Sequence, residues 1–297
     1  MPSLKGIRSR IQSVKNTQKI TKAMKLVAAA RLRRAQDAMN AQRPYAKRLR
    51  DVIVDMIART QEAGDALHPL LSPRPAKKLR LLVVSSDRGL AGGYNSNLGR
   101  TIDRYLAEVR PNHEQIDMFV LGRKGREMFR RKGQAIAGEL AAATPPTAAT
   151  MASELAASMT KQFLEGEFDS LVVVYNEFKS AISQIVQVEP LLPLTKLAQG
   201  AQVASGESRS FVDFDYEPSR EAILQTILPL FIEVEIYRVL LEAIASEFGA
   251  RMSAMDSATR NAKEMIGSLT LEYNRARQAA ITKELMEIVG GAEALKG

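Results

Sequence analysis

The residues whose types and spacing most resemble a chemical site lie in one short stretch, Ser85–Asn95 (SSDRGLAGGYN). The stretch follows a predicted strand and precedes a predicted helix, which is where phosphate-binding loops occur in α/β proteins. It lacks the Lys-Ser/Thr ending of a Walker loop, and its glycines do not match G-x-G-x-x-G. We therefore expect a tight turn in which Gly92 and Gly93 supply positive φ or close packing. A nucleotide-binding enzyme that uses Arg88–Asn95 is the weaker alternative.

Other catalytic arrangements have little support. The two histidines, His68 and His113, lie in no triad context, and the absence of cysteine excludes disulfides, thiolate metal sites and thiol switches. Glu284 and Glu287 are three residues apart on a predicted helix and are expected to be exposed helix charges. No run of about 18 apolar residues is present, so no membrane span is expected. We predict no catalytic, cofactor-binding or metal-binding residues, and no cofactor.

A long helix is predicted at the start of the chain, from about Leu4 to Ile57. Its first apolar residues have the three–four spacing of a coiled-coil seam: Leu4, Ile7, Ile11 and Val14. The same register then places three polar residues inside: Gln18, Thr21 and Lys25. A shifted apolar stripe competes with it: Ile20, Met24 and Val27. The sequence therefore predicts a long helix whose seam is poor.

Helix is predicted again from Glu217 to Val289. Pro229 interrupts the pattern, which favours a short helix before it and one long helix after it. A continuous helix that is kinked at Pro229 stays open as an alternative. The long helix has apolar residues spaced by threes and fours, from Val234, Tyr237, Leu241, Ile244 and Phe248 through Met252 and Met255 to Ala262, Ile266, Leu269, Tyr273, Ala276 and Ala280. Antiparallel pairing of the two long helices would bury both seams, with the middle domain as a knob on a two-stranded rod.

The middle of the chain predicts an α/β domain after a proline-rich linker, residues 64–78. Short apolar runs predict strands at Leu79–Ser85, Ile116–Leu121 and Leu171–Tyr175, with helices between them. This alternation is typical of a mainly parallel sheet. Ile182–Val188 alternates with period two and predicts an edge strand, while residues 141–150 and 198–210 predict loops. The expected segments are 1–63 (N-terminal helix), 76–212 (central α/β domain) and 217–297 (C-terminal helix).

The net charge of +9 is concentrated near the start, where ten Lys or Arg residues fall between Lys5 and Arg34 before the first acidic residue, Asp37. A basic, acid-free start is compatible with a transit peptide, a polyanion or nucleic-acid partner, or the solvated face of a long helix. Aromatic residues are absent before Tyr45, which weakens a nucleic-acid site built on stacking. A coiled-coil nucleic-acid-associated protein stays open as an alternative.

Four stretches, in order along the chain, resemble the γ subunit of F-type ATP synthases. They are Ile7–Ile11 (IRSRI) continuing through Lys15–Met24 (KNTQKITKAM), Ser86–Asn95 (SDRGLAGGYN), Ser246–Met255 (SEFGARMSAM) and Ile281–Ala292 (ITKELMEIVGGA). The resemblance implies an α/β fold class: a long antiparallel coiled coil of the N- and C-terminal helices plus a small Rossmann-like α/β domain. It also makes the basic N-terminal stretch part of the coiled coil rather than a transit peptide. The cysteine pair of the plastid form is absent.

The resemblance implies a central rotor shaft that does no covalent chemistry and couples rotation of a c-ring to conformational change in catalytic β subunits. The implied partners are the α and β subunits as a hexamer, the ε subunit and the c-ring. One copy per complex is expected, with no nucleic acid. The expected location is the cytoplasmic face of a bacterial inner membrane, as a peripheral subunit.

The resemblance implies that six residues, which match family positions, contact the α/β hexamer: Met24, Arg251, Arg277, Gln278, Thr282 and Glu284. Met24 is expected to face the same neighbourhood as Gln278 and Thr282 from the N-terminal helix. Basic residues of that helix are expected to meet acidic surfaces of the hexamer: Lys15, Lys19, Lys22, Arg31, Arg33 and Arg34.

Overall fold

Five α-helices, five strands and one short 3-10 helix make up the computed structural model of this chain, in the part that it describes: residues 3–62, 68–75, 77–195, 197, 217 and 219–294. The helices are α1 (Leu4–Glu62), α2 (Tyr94–Val109), α3 (Arg123–Arg131), α4 (Ala148–Leu164) and α5 (Arg220–Ala294), and the 3-10 helix is Arg110–Asn112. The strands are β1 (Lys78–Val84), β2 (Gln115–Leu121), β3 (Ile136–Leu140), β4 (Ser170–Phe178) and β5 (Gln184–Leu192). The predicted loop 198–210 lies outside the described residues.

Two compact units divide the chain, and both long helices contribute to each of them. The helix-pair unit comprises residues 3–28 and 252–294, and the sheet unit comprises the described residues between 29 and 251. The first therefore contains only the outer parts of α1 and α5. The second contains the sheet, α2 to α4, and the inner parts of α1 and α5.

Of the two alternatives at Pro229, the continuous helix is the one observed, because α5 runs unbroken through the proline. The favoured division into two helices was wrong. A proline inside a helix removes one backbone hydrogen bond and costs about 3 kcal/mol. Here the cost is offset by burial on either side of the proline, since Leu228 and Ile232 are fully buried and Phe231 is 3% exposed. Each such side chain contributes roughly 1.5–3 kcal/mol when it leaves water. Pro44 likewise lies inside α1.

The sheet has the strand order β3-β2-β1-β4-β5 and is parallel except for β5. The mainly parallel sheet and the edge position of Ile182–Val188 were both predicted, and the observed edge strand is antiparallel to β4. Strand β3 was not predicted. It is short, half-exposed and interrupted by Gly138, whose missing side chain makes room for the ring of Phe119 in the neighbouring strand. The predicted loop 141–150 ends early, because α4 begins at Ala148.

One face of the sheet packs against α2 through a cluster of buried apolar residues. The cluster joins inward-facing strand residues with one stripe of α2: Leu79, Leu81, Val83, Met118, Val120, Val172 and Val174 with Leu98, Ile102 and Leu106. The strand members alternate along β1 and β4, as expected for one face of a sheet. This core positions the carboxyl end of β1, where the loop Ser85–Asn95 begins.

A cluster of buried and half-buried charges joins the inner part of α5 to the sheet and to α1. The guanidinium of Arg238 contacts the carboxylates of Glu235 (2.8 Å), Glu189 (2.9 Å) and Glu242 (3.1 Å). It also donates to the hydroxyl of Tyr175 at 2.9 Å. Arg50 of α1 pairs with Glu235 at 3.0 Å. Burial lowers the pKa of Arg238, but the surrounding carboxylates more than compensate, so its pKa is raised and the group stays charged.

Candidate functional site: the paired helix ends and the loop after strand β1

The outer parts of α1 and α5 pair antiparallel through a partly polar seam. The hydroxyls of Thr21 and Thr259 lie 2.8 Å apart, and Lys25 forms an ion pair with Asp256. The pKa of Asp256 is lowered, chiefly by the hydrogen bond from Lys25. The two helices therefore run in opposite directions, and the numbers of two residues that face each other add up to about 280.

The polar register of α1 is the one that faces α5. Thr21 is 8% exposed, whereas Ile20 and Val27 of the competing apolar stripe are 60% and 53% exposed. The shifted stripe was therefore wrong as a description of the seam within this chain. On α5 the predicted inner positions are buried at Met255, Ala262 and Leu269. The helix pair thus accepts polar seam residues and leaves apolar residues of α1 in water.

The last part of α5 has no partner helix among the described residues. Helix α1 begins at Leu4, which the register places opposite the turn around Ala276. Every residue from Ile281 to Gly290 is exposed. Five of them are large and apolar, with exposures of 49–68%: Ile281, Leu285, Met286, Ile288 and Val289. A contiguous exposed apolar patch on a helix marks an interaction surface.

Four of the predicted contact residues lie on or next to this exposed end of α5. Arg277, Gln278, Thr282 and Glu284 are all exposed, and the hydroxyl of Thr282 donates to the carbonyl of Gln278 at 3.0 Å. At about 100° per residue, two adjacent stripes result. The first contains Arg277, Ile281, Glu284 and Ile288, and the second contains Gln278, Thr282, Leu285 and Val289. The predicted polar contacts and the exposed apolar residues thus share one broad face.

Met24 neighbours Lys25 and is half-buried, so the register places it level with Asp256 of α5. Helix geometry puts that level about 33 Å along α5 from Gln278. Within this chain Met24 therefore lies at a different level from Gln278 and Thr282. Its contact with the hexamer stays a prediction.

The stretch Ser85–Asn95 forms the expected tight loop at the carboxyl end of β1. Gly92 has a positive φ of 55°, and a side chain at Gly93 would approach the Asn97 amide at 3.0 Å, so the two glycines supply positive φ and close packing respectively. Leu90 also has a positive φ of 63° and is 65% exposed, which the sequence did not indicate. Hydrogen bonds from Ser86 to the carbonyl of Arg88 and from Asn95 to Ser86 close the base of the loop.

Aspartate 87, in the same loop, caps the neighbouring helix α3. Its carboxylate accepts hydrogen bonds from the backbone N–H of Arg123, the first residue of α3, at 2.9 Å and of Ala142 at 3.2 Å. A negative charge is thus already present at the N-terminus of α3, where a bound anion would otherwise be stabilised. The geometry therefore favours a self-capped loop over the nucleotide site that was kept as an alternative.

Arginine 251 is 8% exposed and contacts residues of its own chain. Its Nη2 lies 2.6 Å from a carboxylate oxygen of Glu247 and donates to the carbonyls of Gly89 (3.3 Å) and Arg88 (3.4 Å). Burial raises the pKa of Glu247, and Arg251 opposes that shift. Contact of Arg251 with the hexamer stays a prediction. The Glu247–Arg251 spacing of four was a signal in the sequence for the ion pair, although nothing there indicated the loop carbonyls.

Among the described residues, no group of three or more His, Asp or Glu side chains could hold a metal ion. No described helix combines the length and hydropathy that crossing a bilayer requires.

Comparisons with known proteins agree along the whole chain. The family model described as ATP synthase matches residues 3–295. The chain is 52% identical over 296 residues to an ATP synthase gamma chain of Anaeromyxobacter sp. (strain K), with full coverage of both chains. It is 44% identical over 322 residues to that of Sorangium cellulosum (strain So ce56), again with full coverage of both.

Solved structures share the fold at lower identity. A chain of the Euglena gracilis mitochondrial ATP synthase matches with a TM-score of 0.64 and 18% identity, covering 98% of this chain and 94% of that one. A chain of the Tetrahymena thermophila mitochondrial ATP synthase, from a structure of its central stalk and c-ring, matches with a TM-score of 0.58 and 24% identity. That match covers 80% of this chain and 99% of the other. The protein therefore belongs to the ATP synthase γ-chain family, and its function is that of the central rotor shaft.

Proposed function

We propose that the exposed end of α5 turns inside a hexamer of α and β subunits, and that this chain itself carries no catalytic residues. The observation that carries the proposal is the exposed apolar face of residues 281–289, which continues beyond the start of α1. Exposing these apolar side chains to water is unfavourable, and burying them inside an apolar sleeve removes that penalty. Because the helix end is asymmetric, the three β subunits around it would bind nucleotide with different affinities. Turning the helix would exchange those affinities among the three subunits.

The chain contacts further partners in this proposal. The ε subunit and the c-ring bind elsewhere on the chain, one copy serves each complex, and no nucleic acid is involved. The c-ring holds the subunit at the cytoplasmic face of a bacterial inner membrane as a peripheral component. The segments 1–63 and 217–297 would form the shaft, and 76–212 would form the domain that binds outside the hexamer.

The basic face of α1 supports an electrostatic contribution to assembly. Nine of the ten basic residues between Lys5 and Arg34 are exposed, all except Lys25. Exposed charges interact over roughly 10 Å at 0.1 M salt and less at higher salt. Neutralising Lys15, Lys19 and Lys22 together should weaken assembly, and the difference from the unmodified chain should shrink as salt rises. An equal loss at all salt concentrations would contradict an electrostatic contribution.

Reconstitution tests the central proposal. The purified chain is mixed with α and β subunits of the same organism, and Mg-ATP hydrolysis and stoichiometry are measured. We expect one copy per hexamer, stimulated hydrolysis, and no hydrolysis by the chain alone. Replacing Leu285 and Ile288 with Gln should reduce assembly without lowering the chain's own stability, because both side chains are already exposed. Hydrolysis by the isolated chain, or failure to join the hexamer, would overturn the proposal.

A further inference from the structure

We propose that Arg251 is a positioning residue that fastens the loop 86–93 to helix α5, so that this loop moves with the helix when the helix turns. Both the loop and Arg251 belong to the sheet unit. The contact joins one guanidinium nitrogen to the carbonyls of Arg88 and Gly89 in the middle of the loop. The family resemblance does not assign this role to Arg251; it implies instead that Arg251 contacts the hexamer.

Two side chains of α5 hold the guanidinium in place. Glu247, one turn earlier on α5, contacts it at 2.6 Å. The ring of Phe248 lies 5.6 Å from the guanidinium carbon of Arg251 and 5.5 Å from that of Arg31 on α1. Charge-assisted hydrogen bonds and cation–π contacts are both stronger when partly removed from water. Arg251 therefore presents its donors to the loop from a fixed position.

The loop is least held at its tip, Gly89 and Leu90, because Asp87 accepts hydrogen bonds from other elements and Ala91 is buried in a cluster with Ala250 of α5. Its two ends are anchored, by the Ser86–Asn95 hydrogen bonds and by Tyr94, whose hydroxyl donates to the carbonyl of Ala243 in α5 at 3.3 Å. Between these anchors, a side chain added at Gly89 would meet nothing within 4 Å, and Leu90 is mostly exposed. Leu90 also has a left-handed φ, a conformation that carries a strain cost for a non-glycine residue. Contacts outside the loop must therefore maintain its shape.

Arg238 and Arg251 both connect α5 to the sheet unit, but they bind different parts of it. The Arg238 cluster binds side chains of the strands themselves, Tyr175 and Glu189. Arg251 instead binds backbone carbonyls of a loop whose tip is exposed. Loss of Arg251 should therefore free the loop and leave the strands in place. The inference rests on the proposed turning of α5 inside the hexamer, during which a freed loop would lag behind the helix under load.

Hydrogen–deuterium exchange on the full-length chain tests the fastening directly. We compare the unmodified chain with Arg251→Gln, Arg251→Lys and Arg260→Ala. Arg260 is a matched control, an arginine of α5 that pairs with the carboxylate four residues earlier but is 69% exposed. Amides 86–93 should exchange on the order of tenfold faster in R251Q, less so in R251K, and unchanged in R260A. Unchanged exchange in the loop of R251Q would overturn the proposal, as would an equal rise throughout β1 and α2.

Coupling supplies the readout that a purely structural residue would not change. In membrane vesicles carrying the assembled enzyme, ATP hydrolysis and ATP-driven ion transport are measured together. R251Q should lower the ratio of transport to hydrolysis, R251K should partly restore it, and an unchanged ratio would overturn the role in rotation. Failure of the proposed function is distinguishable, because the unmodified chain would then neither join nor stimulate the hexamer, whatever its loop exchange.

Discussion

Thr21 and Thr259 face each other across the helix pair with 2.8 Å between their hydroxyl oxygens, in a seam where coiled coils ordinarily place apolar side chains. The hydroxyl of Thr259 also donates to the carbonyl of Met255 at 2.7 Å. The hydroxyl of Thr21 likewise lies 3.1 Å from the carbonyl of Gln18. Because each hydroxyl has one proton, the threonine that donates to a carbonyl of its own helix accepts from the other threonine. The two threonines thus form a short hydrogen-bonded chain that specifies one register of the two helices.

Replacing both threonines with valine tests this pairing. Valine keeps the shape and removes the hydroxyl, so Thr21→Val and Thr259→Val each leave the other hydroxyl without its cross-helix partner. We expect each single variant to be destabilised, and the double variant to be at least as stable as either. A double-mutant cycle of urea unfolding should give a coupling of about 0.5–1.5 kcal/mol. Additive effects of the two substitutions would contradict a direct interaction.

The Lys25–Asp256 pair predicts a dependence of stability on pH. The pKa of Asp256 is lowered, chiefly by the hydrogen bond from Lys25, so the unfolded chain protonates this carboxylate more readily than the folded chain does. The ion pair therefore stabilises the fold above the ordinary carboxyl pKa of about 3.9, and this stabilisation is lost as pH falls through the pKa of Asp256 in the folded chain. Asp256→Asn should flatten the fall in melting temperature between about pH 5 and 3.

A matched control for this pH effect is Asp37→Asn, at an exposed aspartate of α1. Its melting temperature should follow the unmodified chain across the same pH range. If D256N and D37N change the acid profile equally, Asp256 has no special contribution, and the ion pair is too weak to matter in solution.

Much of the fold could be predicted because its signals are local. Inner positions of α5 such as Leu241 and Ile244 recur with the helical period and are buried. Apolar runs likewise marked three of the parallel strands. The failures had non-local causes: Pro229 is tolerated because distant side chains bury its neighbours, and β3 exists because β2 offers it a partner edge.

The candidate site was predicted less completely, since contacts across the chain decide it. The motif around Ser85–Asn95 predicted a glycine turn, but Arg251 is 162 residues away from Gly89, and no spacing rule connects them. The seam of α1 shows the same limit. Taken alone, Ile20 and Val27 are better seam residues than Thr21 and Lys25, and only the partners Thr259 and Asp256 reverse that preference.

Two glycine substitutions should change stability in opposite directions. Gly267 lies in α5, and a side chain there would meet nothing within 4 Å. Gly267→Ala should therefore stabilise the chain by up to about 1 kcal/mol through helix propensity. A side chain at Gly125 would lie 2.5 Å from the Ser85 hydroxyl and 3.0 Å from Val120, so Gly125→Ala should destabilise by roughly 1–3 kcal/mol. Thermal unfolding measures both, and shifts in the same direction would contradict the packing described for Gly125.

Removal of Arg238 should be among the most costly substitutions in the sheet unit. Arg238→Met keeps much of the side-chain volume but leaves the side chains of Glu235 and Glu242, 7% and 13% exposed, without their shared cation. Breaking a buried pair by removing one partner costs about 3–5 kcal/mol, because the remaining charge stays out of water.

The control is Lys283→Met. Lys283 pairs with Glu287, and the two side chains are 78% and 65% exposed. That pair should contribute less than about 1 kcal/mol to stability. Urea unfolding distinguishes the two variants, and a loss in R238M no larger than that in K283M would show that the buried cluster contributes nothing to stability.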